Sequence, residues 1–255
     1  TPLHHLLLKQ TPGFPPALVM TSGNFSEEPI ATDNGDALAR LGPLADAFLL
    51  HDRAIHIRCD DSVIRATDGG VLPLRRSRGY APYPVPLPFD TPPLLATGAE
   101  LKNTFCLARD AHAFISQHVG DLANYDALRS YEHSIAHMER LFRVTPEIIA
   151  HDAHPDYLAT RYALRRPEPR VAVQHHHAHL ASCLAEHKVP PGEPAIGVIF
   201  DGTGLGPDGA IWGGEILIGG YDGFRRFAHL CYVPLPGGDA ATLRPYRDRH
   251  QQHPR

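Results

Sequence analysis

Five of the chain's 18 histidines fall between His175 and His187, and four of them crowd into Gln174-His175-His176-His177-Ala178-His179. The apolar stretch Val171-Ala172-Val173 precedes them, and Leu180, Cys183 and Leu184 follow at helical spacing. The histidines therefore sit where a strand hands over to a helix. Four residues apart on that helix, His175 and His179 share a face, with Cβ atoms about 5 to 6 Å apart. Both imidazoles can then meet one metal ion, while His176 and His177 point elsewhere. A lone histidine here would read as a hydrogen-bonded helix start; four in five residues behind an apolar strand favour a metal.

The stretch Phe200-Asp201-Gly202-Thr203-Gly204-Leu205-Gly206 places an acidic residue at the end of an apolar strand, ahead of glycines that let backbone approach a phosphate. Asp201 can add an oxygen ligand to the same ion. That makes a mixed imidazole and carboxylate site suited to iron or zinc with an open position, and the sequence does not choose between them. Taken alone, a tight hairpin turn accounts for Gly202 and Gly204 equally well. A third group joins Thr21-Ser22-Gly23-Asn24 to Arg75-Arg76-Ser77-Arg78-Gly79. Ser and Asn on a strand-end turn offer donors to a small anion, and Arg forks suit phosphate. By residue type alone these are a polar turn and a solvated basic edge. No residue stands out as a nucleophile: Cys59, Cys106, Cys183 and Cys231 are far apart, form no CxxC pair, and read as buried reduced thiols.

The elements expected to carry these residues alternate between strand and helix, which makes the chain α/β (α+β). The opening Thr1-Pro2-Leu3-His4-His5-Leu6 reads as the end of a helix already under way, so the chain looks like a fragment. Ala17-Leu18-Val19-Met20 reads as a buried strand ending in a polar turn, and a short helix follows from Asp33 to Leu41. Further strands are expected at Ala47-Phe48-Leu49-Leu50, at Ser62 to Ala66 and at Val71 to Arg76. Prolines recur from Tyr80 to Pro93, and a domain boundary is placed there. Beyond it, residues 104–107 and 113–117 should form a hairpin around the turn Asp110-Ala111-His112. Leu128, Tyr131, Ile135, Met138 and Leu141 mark a helix. Strands at Ile148-Ile149-Ala150 and Val171-Ala172-Val173 lead into acidic or His-rich residues at their C-terminal ends, where α/β sheets hold ligands. A last strand, Ala195 to Phe200, turns through 201–206 and returns along 210–217.

With 255 residues, 43% of them hydrophobic, the chain can bury a real core. A formal net charge of -4 gives no general reason to bind nucleic acid or an anionic membrane. No apolar run reaches the roughly 20 residues needed to cross a bilayer, and the chain reads as cytoplasmic.

These pieces occur in a recognisable order. Thr21-Ser-Gly-Asn24, His51-Asp-Arg53, Arg58-Cys-Asp-Asp-Ser-Val63 and Arg75-Arg-Ser-Arg-Gly-Tyr80 resemble the C-terminal half of the YrdC-like domain of HypF carbamoyltransferases. Gly98-Ala-Glu-Leu-Lys-Asn103, Ser116-Gln-His-Val-Gly-Asp121, Asp152-Ala-His-Pro-Asp-Tyr157, Gln174 to His179, Asp201-Gly-Thr-Gly204, Trp212-Gly-Gly-Glu215 and Leu235-Pro-Gly-Gly-Asp-Ala240 resemble the first half of that family's TsaD-like carbamoyl-transfer domain. The resemblance implies a partial YrdC-like domain over 1–85, a proline-rich linker over 86–97, an actin/Hsp70-like TsaD-like part over 98–247 and a polar, disordered tail over 248–255.

It also implies chemistry. Carbamate freed from carbamoyl phosphate is joined to AMP from ATP, and the carbamoyl group passes to the C-terminal cysteine of HypE, on the way to the cyanide ligands of nickel-iron hydrogenase. Carried onto this chain, Ser22, Asn24, Arg76 and Arg78 would hold ATP, with Mg2+, or its adenylate. Gly202 and Gly204 would lie against nucleotide phosphate, and His175, His179 and Asp201 would bind iron or zinc. No catalytic residue is assigned, because the nucleophile is the partner's thiolate. A further acidic metal ligand is expected beyond Arg255. Threonylcarbamoyl transfer to tRNA is the rival enzyme reading, and an inactive metal- or nucleotide-binding fragment the rival non-enzymatic one. The triple His, the Asp-Gly-Thr-Gly turn and the fusion of the two domains favour HypF, and the acidity disfavours tRNA.

Overall fold

A computed structural model describes residues 2–25 and 28–232. A short helix α1 (Pro2–Leu7) and helix α2 (Asn34–Leu41) come first, and the Asp33 carboxylate caps α2 by accepting from the Asp36 N–H. Strands β1 (Val63–Thr67) and β2 (Gly70–Arg75) form an antiparallel hairpin. Two stretches expected as strands in this region are not: Ala17 to Met20 and Ala47 to Leu50 run as irregular, largely exposed chain. Their apolar character meets no neighbouring strand among the described residues, and a strand without a partner leaves its N–H and C=O groups to water.

The chain then enters β3 (Val85–Ala96), β4 (Cys106–Ile115), α3 (Tyr125–Phe142), β5 (Ile148–Asp152), α4 (Leu158–Arg165) and β6 (Arg170–Val173). The four strands form one sheet in the order β4-β3-β5-β6, antiparallel between β4 and β3 and parallel onward. Residues 86–97 are thus no linker: this segment is an interior strand of the sheet. The prolines are tolerated because they lie where β3 is irregular, with its register against β4 broken between Pro86 and Leu94. Regular pairing with β5 begins only at Leu94, opposite Ile148. No hairpin turn forms at the expected Asp110: the register shifts there, and the extra residues lie in the facing β3. Asp110 takes the left-handed conformation (φ 52°) that Asp tolerates, but the strand continues through it. Leu95, Leu107, Ile149, Tyr131, Ile135, Met138, Ala159 and Ala163 make the core between this sheet and helices α3 and α4.

Helix α5 (His175–Glu186) follows β6 directly, and β7 (Ala195–Leu205), β8 (Ile211–Gly219) and β9 (Phe224–His229) form an antiparallel sheet against it. Leu180, Leu184, Trp212 and Leu217 make that second core. The turn expected over 201–206 falls later, because Asp201 to Leu205 remain in β7 with a bulge after Phe200, and the reversal lies at Gly206 to Gly209. The Leu235 to Ala240 motif and the tail over 248–255 lie outside the described residues. Among the described residues no helix is long and apolar enough to cross a membrane.

Candidate metal centre and nucleotide pocket

The parallel strands β5 and β6 end side by side at Asp152 and Val173, and Gln174 starts α5 there, its side-chain oxygen accepting the His177 N–H at 2.9 Å. This cap fixes the start of α5 and with it the directions of the four histidines there. His175 and His179 face Asp201 on β7. His176 turns into the core, fully buried, and His177 Nε2 meets the Gly220 carbonyl at 2.8 Å.

The structure brings His175, His179 and Asp201 together, with one ligand atom of each within 4.8 Å of the others. His175 Nε2 lies 2.8 Å from Asp201 Oδ2, and His179 Nε2 lies 3.3 Å from both His175 Nε2 and Asp201 Oδ2. Two nitrogens about 2.0 to 2.1 Å from one ion sit roughly 3 Å apart, so the spacing fits shared coordination. Behind His175, the nearly buried Asp152 brings Oδ2 to 2.7 Å from Nδ1. A proton held on Nδ1 by that carboxylate leaves Nε2 as the free lone pair facing Asp201, the outer-shell arrangement of metal-binding histidines. Asp152 is in turn fixed by the His154 N–H on Oδ1 at 2.8 Å.

The electrostatics agree with this donor set. The hydrogen bond that Asp152 accepts from His175 raises the basicity of His175 against the opposing effect of burial, and Asp201 adds to it. Burial by itself would push the Asp201 carboxyl up, but the Gly202 N–H on Oδ1 and the imidazoles of His175 and His179 outweigh it and hold Asp201 below the usual carboxylate range. Asp152 and the cap at Gln174 belong to the candidate site, and spacing arguments did not single them out. Their signal was an acidic residue at the C-terminal end of one strand and a polar residue at the end of the next.

The glycines divide. A Cβ on Gly204 would sit 2.6 Å from Cε1 of His176, so this glycine lets β7 pack against α5 and does not face open space. A Cβ on Gly202 would meet no atom within 4 Å, leaving that backbone approachable. The four residues expected around one anion also divide. Ser22 and Asn24 line a cavity of about 370 Å³ with Arg58, Arg75, Lys102 and His118. Arg76 and Arg78 are not among its walls. The Arg76 guanidinium donates to the Tyr80 and Tyr83 carbonyls. Arg78 donates to the Cys59 carbonyl and faces Asp61. Strand β2 ends at Arg75, so Arg76 and Arg78 follow the turn beyond it and are held by those backbone carbonyls, and Arg75 alone of the three enters this cavity. Within the cavity, Asn24 donates to the Phe25 and Glu28 carbonyls, while its Oδ1 is buried without a partner among the described residues. A second cavity of about 560 Å³ opens beside the metal cluster, walled by Gly98, Lys102, Asp152, His175 and His179.

Comparison with known proteins fits this geometry. Residues 89–186 match the family described as the HypF Kae1-like domain, and residues 197–251 match the second subdomain of the carbamoyltransferase Kae1-like domain. Residues 1–77 match the Sua5/YciO/YrdC family, described as telomere recombination. Carbamoyltransferase HypF2 of Cupriavidus necator is 47% identical over 97% of this chain and 33% of its own length. Carbamoyltransferase HypF of Synechocystis is 46% identical over 97% of the chain and 32% of its own length. A crystal structure of full-length HypF in a phosphate- and nucleotide-bound form superposes with a TM-score of 0.82 at 50% identity, over 87% of this chain and 35% of that one. Fold and site thus define a Kae1-like α/β protein preceded by a YrdC-type region. The chain belongs to the HypF family, and it spans about a third of the length of the curated relatives it matches.

Proposed function

We propose that the chain serves the adenylation and transfer steps of a HypF carbamoyltransferase. Carbamate from carbamoyl phosphate attacks the α-phosphorus of ATP and expels pyrophosphate. The resulting carbamoyl-adenylate acylates the C-terminal cysteine thiolate of HypE, and AMP leaves. The observation that carries this reading is the convergence of His175, His179 and Asp201, braced by Asp152, in a chain 47% identical to a carbamoyltransferase.

Each group has a part in it. Ser22 and Asn24 offer hydrogen bonds to the nucleotide, with Arg58 and Arg75 supplying positive charge in the same cavity, and Mg2+ accompanies ATP. Gly202 leaves room for phosphate. His175, His179 and Asp201 hold iron or zinc, which when bound supplies Lewis acidity for a carbamoyl or phosphate oxygen. Asp152 keeps a proton on His175 Nδ1, so the imidazole presents only its other nitrogen. The acceptor thiolate comes from the partner. Consistent with that, burial pushes the Cys106 thiol up to about 12, which leaves it protonated and a poor nucleophile. A cytoplasmic setting, in which all four cysteines stay free thiols, belongs to the same reading.

The test is carbamoyl-phosphate-dependent exchange of labelled pyrophosphate into ATP by the purified chain, with metal content measured on the same sample. Exchange together with bound metal is the expected result. Metal without exchange removes adenylation from this chain, and a chain with neither overturns the reading.

A further inference from the structure

A second group of histidines lies away from the centre described above. Helix α3 carries His133 and His137 one turn apart on one face. His56, from the irregular chain ahead of β1, reaches across to them. Its Nε2 is 3.3 Å from His137 Nδ1, and its ring centroid is 5.0 Å from that of His137 and 6.2 Å from that of His133. The rings meet at 66° and 69°, edge to face, with the His56 and His137 nitrogens close enough to share a proton or an ion.

We infer that His56, His133 and His137 form a second binding site for a borderline divalent transition metal, joining the YrdC-type region to helix α3. Two imidazole nitrogens 3.3 Å apart have the spacing of neighbouring ligands around one ion at about 2.0 to 2.1 Å. The third ring stands one helical turn away, its centroid 6.2 Å from that of His56, and joins the ion only once its side chain rotates toward it. His56 and His133 are exposed, so an ion enters without local unfolding. A polar cavity of about 280 Å³ beside them, lined also by Thr32, Arg58 and Asp126, has room for the remaining ligands as water. Imidazole donors select zinc, nickel, cobalt or copper over magnesium or calcium.

The position gives the ion a structural consequence. Two residues beyond His56, the Arg58 carbonyl accepts from Gln117 Nε2 at 3.4 Å, and the same amide reaches Ser134 Oγ on α3 at 3.2 Å. Arg58 also lines the cavity that holds Ser22 and Asn24. An ion at the three histidines would therefore tie down the segment that carries Arg58 into that cavity.

The experiment uses zinc alone and is independent of any catalytic reading. In the full chain carrying His175→Ala, His179→Ala and Asp201→Ala, zinc is titrated against a chromophoric chelator and thermal unfolding is followed with and without zinc. One zinc per chain and a zinc-dependent rise in Tm are expected. Adding His56→Ala or His137→Ala should weaken that binding at least tenfold and remove the rise, with His133→Ala intermediate and the exposed His112→Ala without effect. No binding in the triple variant overturns the inference, as does binding indifferent to His56 and His137; the contact is then a hydrogen bond between two imidazoles. Should the triple variant not fold, zinc stoichiometry in the otherwise native chain decides, falling by one on His56→Ala plus His137→Ala or refuting the site by staying unchanged.

Discussion

Asp152 Oδ2 and His175 Nδ1 are 2.7 Å apart, and this one contact joins the C-terminal end of β5 to the first residue of α5. The carboxylate selects which nitrogen of His175 carries the proton and which one faces Asp201. Asp152→Asn keeps the size of the side chain and an oxygen for the His154 N–H, but removes the negative charge. Loss of such an outer-shell carboxylate costs roughly 10- to 100-fold in metal affinity. Competition with a chelator should show that loss for zinc, with an unchanged circular dichroism spectrum.

Gly204 and Gly202 should behave oppositely. Gly204→Ala drives a methyl into the buried ring of His176, and overpacking of this kind costs about 1 to 3 kcal/mol. Urea unfolding should register it. Gly202→Ala meets no atom and should leave the urea midpoint nearly unchanged, while weakening nucleotide binding if phosphate lies against that backbone. Equal effects of the two substitutions on stability would contradict the packing described.

Arg166 ties the ends of α3 and α4 together. It meets Glu139 and Glu168 and donates to the Tyr162 hydroxyl, and all three ionic side chains are mostly buried. Arg166→Met strands two carboxylates and should cost about 2 to 3 kcal/mol in urea unfolding at pH 7. The hydrogen bond from Arg166 holds Glu168 below its ordinary value of 4.5. A depressed carboxylate contributes stability that is present above its unfolded pKa and is lost as pH falls through the folded one. The gap between native and variant should therefore shrink as pH drops below about 4.5, and a gap constant down to pH 3 would refute the assignment.

The fold was legible where the pattern was local. Leu128, Tyr131, Ile135 and Met138 mark α3 because a helix face is written within one segment, and the pairing of His175 with His179 on one face of α5 was legible for the same reason. What was lost depends on partners distant in sequence. The proline-rich stretch became β3 because β4 and β5 lie on either side of it, which no feature of the stretch itself announces. At Asp110 the residue type fits the local backbone, but the choice between a hairpin and a continuing strand rests with the facing strand. The exchange of Arg75 for Arg76 turns on where β2 ends, which its pairing with β1 decides. Asp152 becomes a site residue only through the parallel pairing that sets β5 beside β6.

Lys102 links the two cavities. It lies in the connection between β3 and β4, its backbone is left-handed (φ 49°), and its N–H donates to Asp121 Oδ1 at 2.6 Å. It borders both the cavity of Ser22, Asn24 and Arg75 and the cavity of His175 and His179. A non-glycine residue held in that conformation carries a local cost that the Asp121 contact offsets, and the residue is thereby kept at a wall shared by both spaces. An anionic adenylate in either cavity would meet the same positive charge. Lys102→Met keeps length and removes that charge. It should lower carbamoyl transfer to the acceptor at least tenfold, leave zinc affinity within about twofold, and reduce ATP–pyrophosphate exchange less than Arg75→Ala does. A transfer rate unchanged by Lys102→Met would show that the ammonium serves neither cavity, whereas parallel losses in transfer, exchange and metal binding would mark Lys102 as structural.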